Sequence, residues 1–524
     1  MKKNPPLFWL AVFALGFLAD FLFWKQAPGI NFFLYVAATL AAAFALLLWN
    51  GLRPHPAALW LILPIGFFSA STFFRAESLT VFLAVVLVLL CMALLTVTYL
   101  GGNWRRYALG GYFQQALNLL GSLIARPVMF ASEAAKEKQY ARFRIAPILR
   151  GLLFATPILL IFGGLLASAD LVFEQRLNGL LRWLSLDNLP ELIFRLTYIS
   201  VIAYALAGVV LHAAAQSSDE KFTAEQTSPI QPFLGFIESS IILGSVVFLF
   251  AAFVAVQFQY FFGGNANIHL DGFTYAEYAR RGFGELTAVA FFALLMLLAL
   301  SGVSKRETET QRKIYSALGI ALVSLLMVML VSAFQRLNLY EAAYGFSRLR
   351  TYTHVFLIWL GALLLATIAL EALRKERAFA FAALLAAFGF AASLVLLNVD
   401  AFIVRQNVQR ELSAKPAGAA QLDAAYFTQL SDDAIPPLAQ SFANEKLPRP
   451  LKEKLGAALA CIQIQRADSA SMSWRSFHLS RVRADAALRS IEDDLSAYQV
   501  QDEPYPSSVV TPSGESVYCG YSWD

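Results

Sequence analysis

The sequence predicts an all-α, polytopic helical membrane protein with about eleven transmembrane helices and a small, mainly helical soluble domain at the C-terminal end. Three observations predict it. Apolar runs of roughly twenty residues, the length a helix needs to cross about 30 Å of hydrocarbon, fill the first four-fifths of the chain. Hydrophobic residues make up 58% of the chain and charged residues 15%, against about half and about a quarter in a soluble domain. The excess is gathered in blocks, which one water-soluble core does not explain. Charge also divides the chain. Residues after Arg410 carry ten Lys/Arg and fifteen Asp/Glu, whereas the remainder carries 31 and 21.

The runs fall at 7–23, 30–48, 57–74, 79–100, 151–169, 192–213, 233–258, 285–303, 314–334, 352–370 and 378–397. The first follows Met1-Lys2-Lys3 but is long for a signal peptide and has no small-residue cleavage site, so it reads as a retained span. Alternate links differ in charge. The set holding Lys2, Lys3, Arg53, the 105–150 link, Lys221, the SKRETETQRK link and Arg374-Lys375-Arg377 has about twice the basic residues of the other set. The positive-inside rule makes that set cytoplasmic, with the N-terminus inside and the C-terminus extracytoplasmic, in a bacterial cytoplasmic membrane. Two domains are expected: 1–410, spanning, and 411–524, an extracytoplasmic soluble tail. The basic residues are spread over many loops, which argues against nucleic-acid binding.

Two links read as helices lying on the membrane surface. Phe113, Leu117, Leu120 and Ile124 recur at helical spacing among Gln114, Gln115, Asn118 and Ser122. Leu177, Leu180, Leu181 and Leu184 do the same. In the tail, Leu451, Leu455, Leu459 and Ile462 mark one amphipathic helix, and Phe477, Val482, Leu488, Ile491 and Leu495 another. The end, rich in Pro, Ser and Gly, is expected to be irregular. Cys91 lies mid-span as a small apolar residue. Cys461 and Cys519 fall in the tail, where an oxidising compartment permits a disulfide; two independent thiols is the other reading.

No Walker A loop, HExxH, GxSxG or CxxC pair is present, and the five histidines lack ligand-like spacing. No cofactor and no metal site is expected. Ionisable residues inside spans are functional flags because hydrocarbon makes them expensive. Two carboxylates qualify. Asp20 is either functional or a boundary residue reaching water. Glu238 is either functional or a partner for an arginine or a helix N-terminus.

The densest polar signal lies on the predicted outer face. In DGFTYAEYARRGFGEL, residues 271–286, Thr274 and Glu277 have capping-box spacing, Glu277 and Arg281 form an i,i+4 pair, and Tyr275 and Tyr278 share a side. In FQRLNLYEAAYGFSRLRTYTH, residues 334–354, Arg336, Tyr340, Tyr344, Arg348 and Tyr352 are each four apart. On a helix they form a stripe interrupted by Gly345, with Glu341 beside it and Arg350 beyond it. Asp400 follows the last span. Guanidinium groups take phosphate or carboxylate through paired donors, and tyrosines supply apolar walls with polar tips. The group suits an anionic lipid headgroup, a lipid-linked sugar phosphate or an anionic solute. Aromatic belts and snorkelling arginines at any membrane interface give the same pattern without a site.

LADFLFWKQAPGIN, TYAEYARRGFGEL, YEAAYGFSRLRTYTH, the Asn398-Val399-Asp400 triplet and SWRSFHLSRVRA together resemble a bacterial family of polytopic membrane proteins defined only as a domain of unknown function. The resemblance runs from the first span into the tail, and TYAEYAR and YGFSRLR are its specific parts. It implies architecture and location but no reaction. The function expected first is a transporter-like or sensory module whose outer Tyr/Arg surface binds an anionic envelope ligand. The alternatives are an enzyme on lipid-linked sugars, for which Asp20 beside the outer end of span one is placed, and an envelope scaffold. Only about six residues separate spans one and two, too few for the long outer loop of such glycosyltransferases.

Overall fold

The computed structural model describes residues 4–137, 189–218, 232–261, 283–413, 421–467, 473–501 and 507–519, with isolated positions between 155 and 176. The chain is an all-α polytopic membrane protein. Among the described residues, ten helices are long and apolar enough to cross a membrane. They match ten of the eleven predicted runs; the remaining run, 151–169, lies mostly outside the described residues, as do Leu177, Leu180, Leu181 and Leu184. Many of their large apolar side chains face outward, Leu10, Phe17, Phe248, Phe292 and Leu365 among them. That is what a helix surrounded by lipid presents.

Two compact units form, one of Met1–Lys25, Ala37–Arg53 and Leu117–Ser217, the other of Gln26–Val36, Pro54–Ala116 and Ser218–Asp524. The first unit is built on helix α1 (Pro5–Phe23), the end of α2 (Ile30–Trp49), most of α6 (Leu109–Glu137) and α7 (Leu189–Gln216). Small residues bring these helices close. A Cβ on Gly16 would meet the Ile199 carbonyl oxygen at 2.8 Å, and one on Gly208 would meet Leu123 Cα at 2.6 Å. Helix α6 is the predicted surface helix. Phe113, Leu117, Leu120 and Ile124 are all exposed, while Ser122 is buried on α7, with His212 Nδ1 at 2.8 Å. Gln115 and Ser122 are buried while these four apolar side chains face outward, as on an amphipathic helix in a membrane.

The second unit contains α3 (Pro56–Leu59), α4 (Ile62–Phe74), α5 (Ser78–Val97), α8 (Phe236–Phe261), α9 (Phe283–Val303), α10 (Glu309–Tyr344), α11 (Arg348–Ala372) and α12 (Phe379–Leu397). The predicted span 57–74 is broken between α3 and α4. Pro64 has no N–H for the Trp60 carbonyl and crowds it, so the ladder fails there. Leu243, Leu294, Leu297, Leu322, Leu326 and Leu364 form the buried seam of α8 to α11.

Helix α13 (Val399–Leu412) leads from α12 into the tail, which holds α14 (Ile435–Phe442), α15 (Arg449–Ala467), α16 (Leu479–Arg489) and α17 (Glu492–Leu495). Leu451, Leu455, Leu459 and Ile462 all point into its core, with Phe427, Leu438, Phe442 and Leu488. The C-terminal end is more regular than its composition implies. Strands β1 (Gln499–Gln501), β2 (Ser508–Val510) and β3 (Ser516–Tyr518) form an antiparallel sheet, with Val500 opposite Val509 and Val509 opposite Val517. Gly514, at φ +88°, makes the β2–β3 turn. Cys461 on α15 and Cys519 after β3 are disulfide-bonded.

Candidate functional site

The polar residues of the second unit gather where the spans end, and at one end the tail completes several of these groups. Glu77 precedes α5 and caps it, accepting from the Leu79 and Thr80 N–H groups at 2.8 Å and the Thr80 hydroxyl at 2.6 Å. The Tyr352 hydroxyl donates to the same carboxylate. An anion suits a helix N-terminus, where four N–H groups lack intrahelical partners.

Asp400, in the first turn of α13, is fully buried. Arg348, opening α11, clasps it with two nitrogens, Nε to Oδ1 at 2.8 Å and Nη2 to Oδ2 at 2.6 Å. The Ser431 N–H adds a third hydrogen bond at 2.7 Å. The Arg348 N–H donates to the Tyr426 hydroxyl at 2.9 Å. A buried charge is tolerated only when paired and hydrogen-bonded; here a span and the tail share that task. Leu394, Val399 and Ile403 pack beneath it with Leu79, Tyr352 and Leu430.

Asp433 forms a second joint. It accepts from the Ala76 N–H at 2.7 Å, and Ser480 Oγ lies 2.6 Å from its Oδ1 and 2.7 Å from the Phe74 carbonyl oxygen. One hydroxyl hydrogen cannot serve both acceptors. Burial pushes the Asp433 carboxyl above its usual range, against Ser480, Ala76 and Arg75, which pull it down. A third joint is backbone-mediated: the Ile30 N–H donates to the Phe477 carbonyl at 3.1 Å, and Ser476 Oγ to the Ala27 carbonyl at 3.1 Å.

The links joined here are 24–29, 75–77, 345–347 and the one after α12, all from the less basic set. The opposite ends gather the basic set. Arg306 meets Glu376 at 3.4 Å, Arg374 meets Glu309 at 3.0 Å, and Trp104 Nε1 donates to the Ala57 carbonyl at 2.9 Å.

The predicted Tyr/Arg stripe is not one helix. Helix α10 ends at Tyr344, Gly345 takes φ +78°, and α11 begins at Arg348. A Cβ on Gly345 would lie 2.6 Å from Asn407 Oδ1, which holds the Phe346 N–H at 2.7 Å. Arg348 and Tyr352 therefore leave the stripe and turn to Asp400 and Glu77. Arg350 lies over the Tyr340 ring, 4.2 Å from its centroid, and donates to the carbonyls of Tyr344, at 3.2 Å, and Gly345. Tyr340 and Tyr344 pack at 5.0 Å. Glu341 is buried against His354 Nδ1 at 3.0 Å. Arg336 is half-buried one turn before Tyr340. Tyr275, Glu277, Tyr278 and Arg281 lie outside the described residues.

In the first unit, Asp20 is buried and held by Arg195, Nε to Oδ1 at 2.9 Å, and by the Tyr198 hydroxyl. Trp24 stacks on Tyr198 and donates to Glu191 at 2.9 Å, and Lys25 meets Glu191 at 3.1 Å. Glu238 is exposed in the first turn of α8 and accepts from the Gly235 N–H, the position of a helix-end cap.

Several members of these groups escape the sequence pattern: Arg195, Glu77, Tyr426, Asp433, Ser480 and His354. Arg195 carried a usable signal, since it lies inside a predicted span and an intramembrane arginine is as costly as a carboxylate. Among the described residues, no cluster of three His, Cys, Asp or Glu side chains is placed to hold a metal ion.

The chain belongs to the family described as Domain of unknown function (DUF4153), which matches residues 62–441, more than half of its length. That stretch carries Glu77, Arg348, Asp400 and Asp433. No curated protein and no solved structure matches the chain.

Proposed function

We propose that this protein is a non-enzymatic sensory module: a ligand on the extracytoplasmic side is received at the ends of the spans, and the signal passes between those ends and the tail. The observation that carries this reading is the shared burial of Asp400, whose hydrogen bonds come from Arg348 on a span and Ser431 in the tail. Ser431 and Tyr426 link 421–442 to the first turn of α11 through Asp400 and the Arg348 N–H, the route by which a displacement of one would be felt by the other. The ligand-receiving surface in this reading is the accessible remainder of the Tyr/Arg group, Tyr340, Tyr344 and Arg350. A guanidinium framed by tyrosines suits an anionic envelope ligand.

An enzyme on lipid-linked sugars is the weaker reading, because both Asp20 oxygens are engaged by Arg195 and one also by Tyr198. Turnover of a labelled polyprenyl-phosphate sugar that disappears in Asp20→Asn would reverse that preference. The sensory reading is tested by amide hydrogen exchange on the protein in nanodiscs. Asp400→Asn is expected to raise exchange in 421–442 and in 348–352 together. A rise confined to the tail would show that the joint transmits nothing.

A further inference from the structure

We propose that Arg75, Arg405 and Arg483 form a binding site for the phosphate group of an anionic membrane lipid, at the level where α4 and α12 end. The site is separate from the Tyr340–Arg350 surface and does not rest on the sensory reading.

Arg75 is the first residue after α4, and its Nε donates to the carbonyl of Val395, in the last turn of α12, at 2.7 Å. The head of this arginine is thereby fixed between the ends of two spans. Its nearest carboxylate oxygen, Asp433 Oδ1, is 3.9 Å away, and Asp433 already serves Ala76 and Ser480. Arg405 is exposed on α13, with its Nε given to the Ala401 carbonyl one turn back at 3.1 Å. Arg483 is exposed on α16, one turn from Ser480, which sits against the Phe74 carbonyl. Among the described residues, neither Arg405 nor Arg483 has a carboxylate within ion-pair distance. Burial chiefly weakens the hold of the Arg75 guanidinium on its proton. Arg483 and Arg405 lie close enough for their like charges to add to that effect, while Asp433 opposes it.

The one carboxylate beside Arg75 is thus itself occupied, and among the described residues Arg405 and Arg483 have none of their own. Phosphate oxygens accept paired N–H donors from arginine and would offset the repulsion. The surroundings select a phosphate that carries acyl chains. Leu396, 72% exposed, and Phe74, 40% exposed, are the immediate neighbours of Val395 and Arg75. A headgroup held by the arginines would leave its chains on that apolar surface, and each arginine near an anionic lipid surface adds to the attraction.

The test is native mass spectrometry of the full chain released from nanodiscs, with phosphatidylglycerol and phosphatidylcholine as probes and inorganic phosphate as competitor. Wild type is expected to retain phosphatidylglycerol over phosphatidylcholine by about tenfold, and the Arg405→Gln/Arg483→Gln pair to lose most of that preference. Millimolar inorganic phosphate is expected to displace little of the lipid. Equal retention by wild type and the double variant overturns the proposal, as does the absence of any headgroup preference. Full displacement by inorganic phosphate overturns the lipid assignment in favour of a soluble anion. If the double variant does not purify as a folded protein, Arg483→Gln alone, on the exposed face of α16, is held to the same outcomes.

Discussion

At the scale of single residues, buried charges are held by partners distant in sequence. Asp400→Ala leaves Arg348 without its counter-ion and should cost about 3–5 kcal/mol, the range for breaking a buried pair. A thermal melt in detergent should show a clear drop for Asp400→Ala and a smaller one for Asp400→Asn, which keeps acceptor and shape. Replacing both partners, Arg348→Met with Asp400→Leu, should recover part of the loss, because no charge is then stranded. A double variant no better than Asp400→Ala would mean that the lost acceptor of the Ser431 N–H matters more than the ion pair. Arg348 and Asp400 were both visible as candidates in the sequence, but their pairing was not. They are 52 residues apart, and nothing local in either segment states that they meet. Asp20 was visible as a costly intramembrane carboxylate. Its partner Arg195 was equally costly, and the balance between them appears only when the two helices are packed.

At the scale of elements, the turns between helices decide which side chains face the tail. Gly345 permits the left-handed turn that ends α10 and lets Asn407 close on the Phe346 backbone. Gly345→Ala adds a Cβ 2.6 Å from Asn407 Oδ1 at a strained φ, so a loss of about 1–3 kcal/mol is expected in the same melt. No measurable change would show that the turn relaxes freely. Four-residue spacing made 336–352 look like a single stripe, and Gly345 was the one signal that it was two elements. The tail joint also responds to pH. Burial holds the His478 ring below its usual 6.5, with Asp433 and Asp432 pulling the other way. Between 6.5 and that lowered value the unfolded chain binds the proton and the folded chain does not, so stability falls as pH drops through the window. Asp433 acts oppositely: its raised value means that the folded chain binds more protons above 3.8, so its contribution grows as pH falls there. Comparing melts near pH 7.5 and 5.5 separates the two. Wild type should lose more on acidification than His478→Asn; equal losses would remove His478 from the account.

At the scale of the whole molecule, the span pattern was legible because hydrocarbon imposes one length and one composition on every crossing helix. The short terminal sheet was not, because three-residue strands carry too little alternation to stand out among Pro, Ser and Gly. The Cys461–Cys519 bond closes a segment of 58 residues around that sheet. Cys461→Ser should lower the melting of the tail by about 2–5 kcal/mol while leaving exchange protection in α10 and α11 intact. A global collapse would show that tail and spans unfold as one.

The less basic links meet the tail in the second unit, and the basic links meet one another at the opposite ends of its helices. The most direct test of this account is therefore the side on which each set lies. Lys446→Cys in the tail and Lys375→Cys in a basic link both place a thiol at an exposed position, against a buried Cys91 and a bonded Cys461–Cys519 pair. A membrane-impermeant maleimide should label Lys446→Cys in intact cells and Lys375→Cys only after permeabilisation. Labelling of Lys446→Cys only after permeabilisation, or of both variants from the same side, would contradict an extracytoplasmic tail resting on the outer ends of the spans.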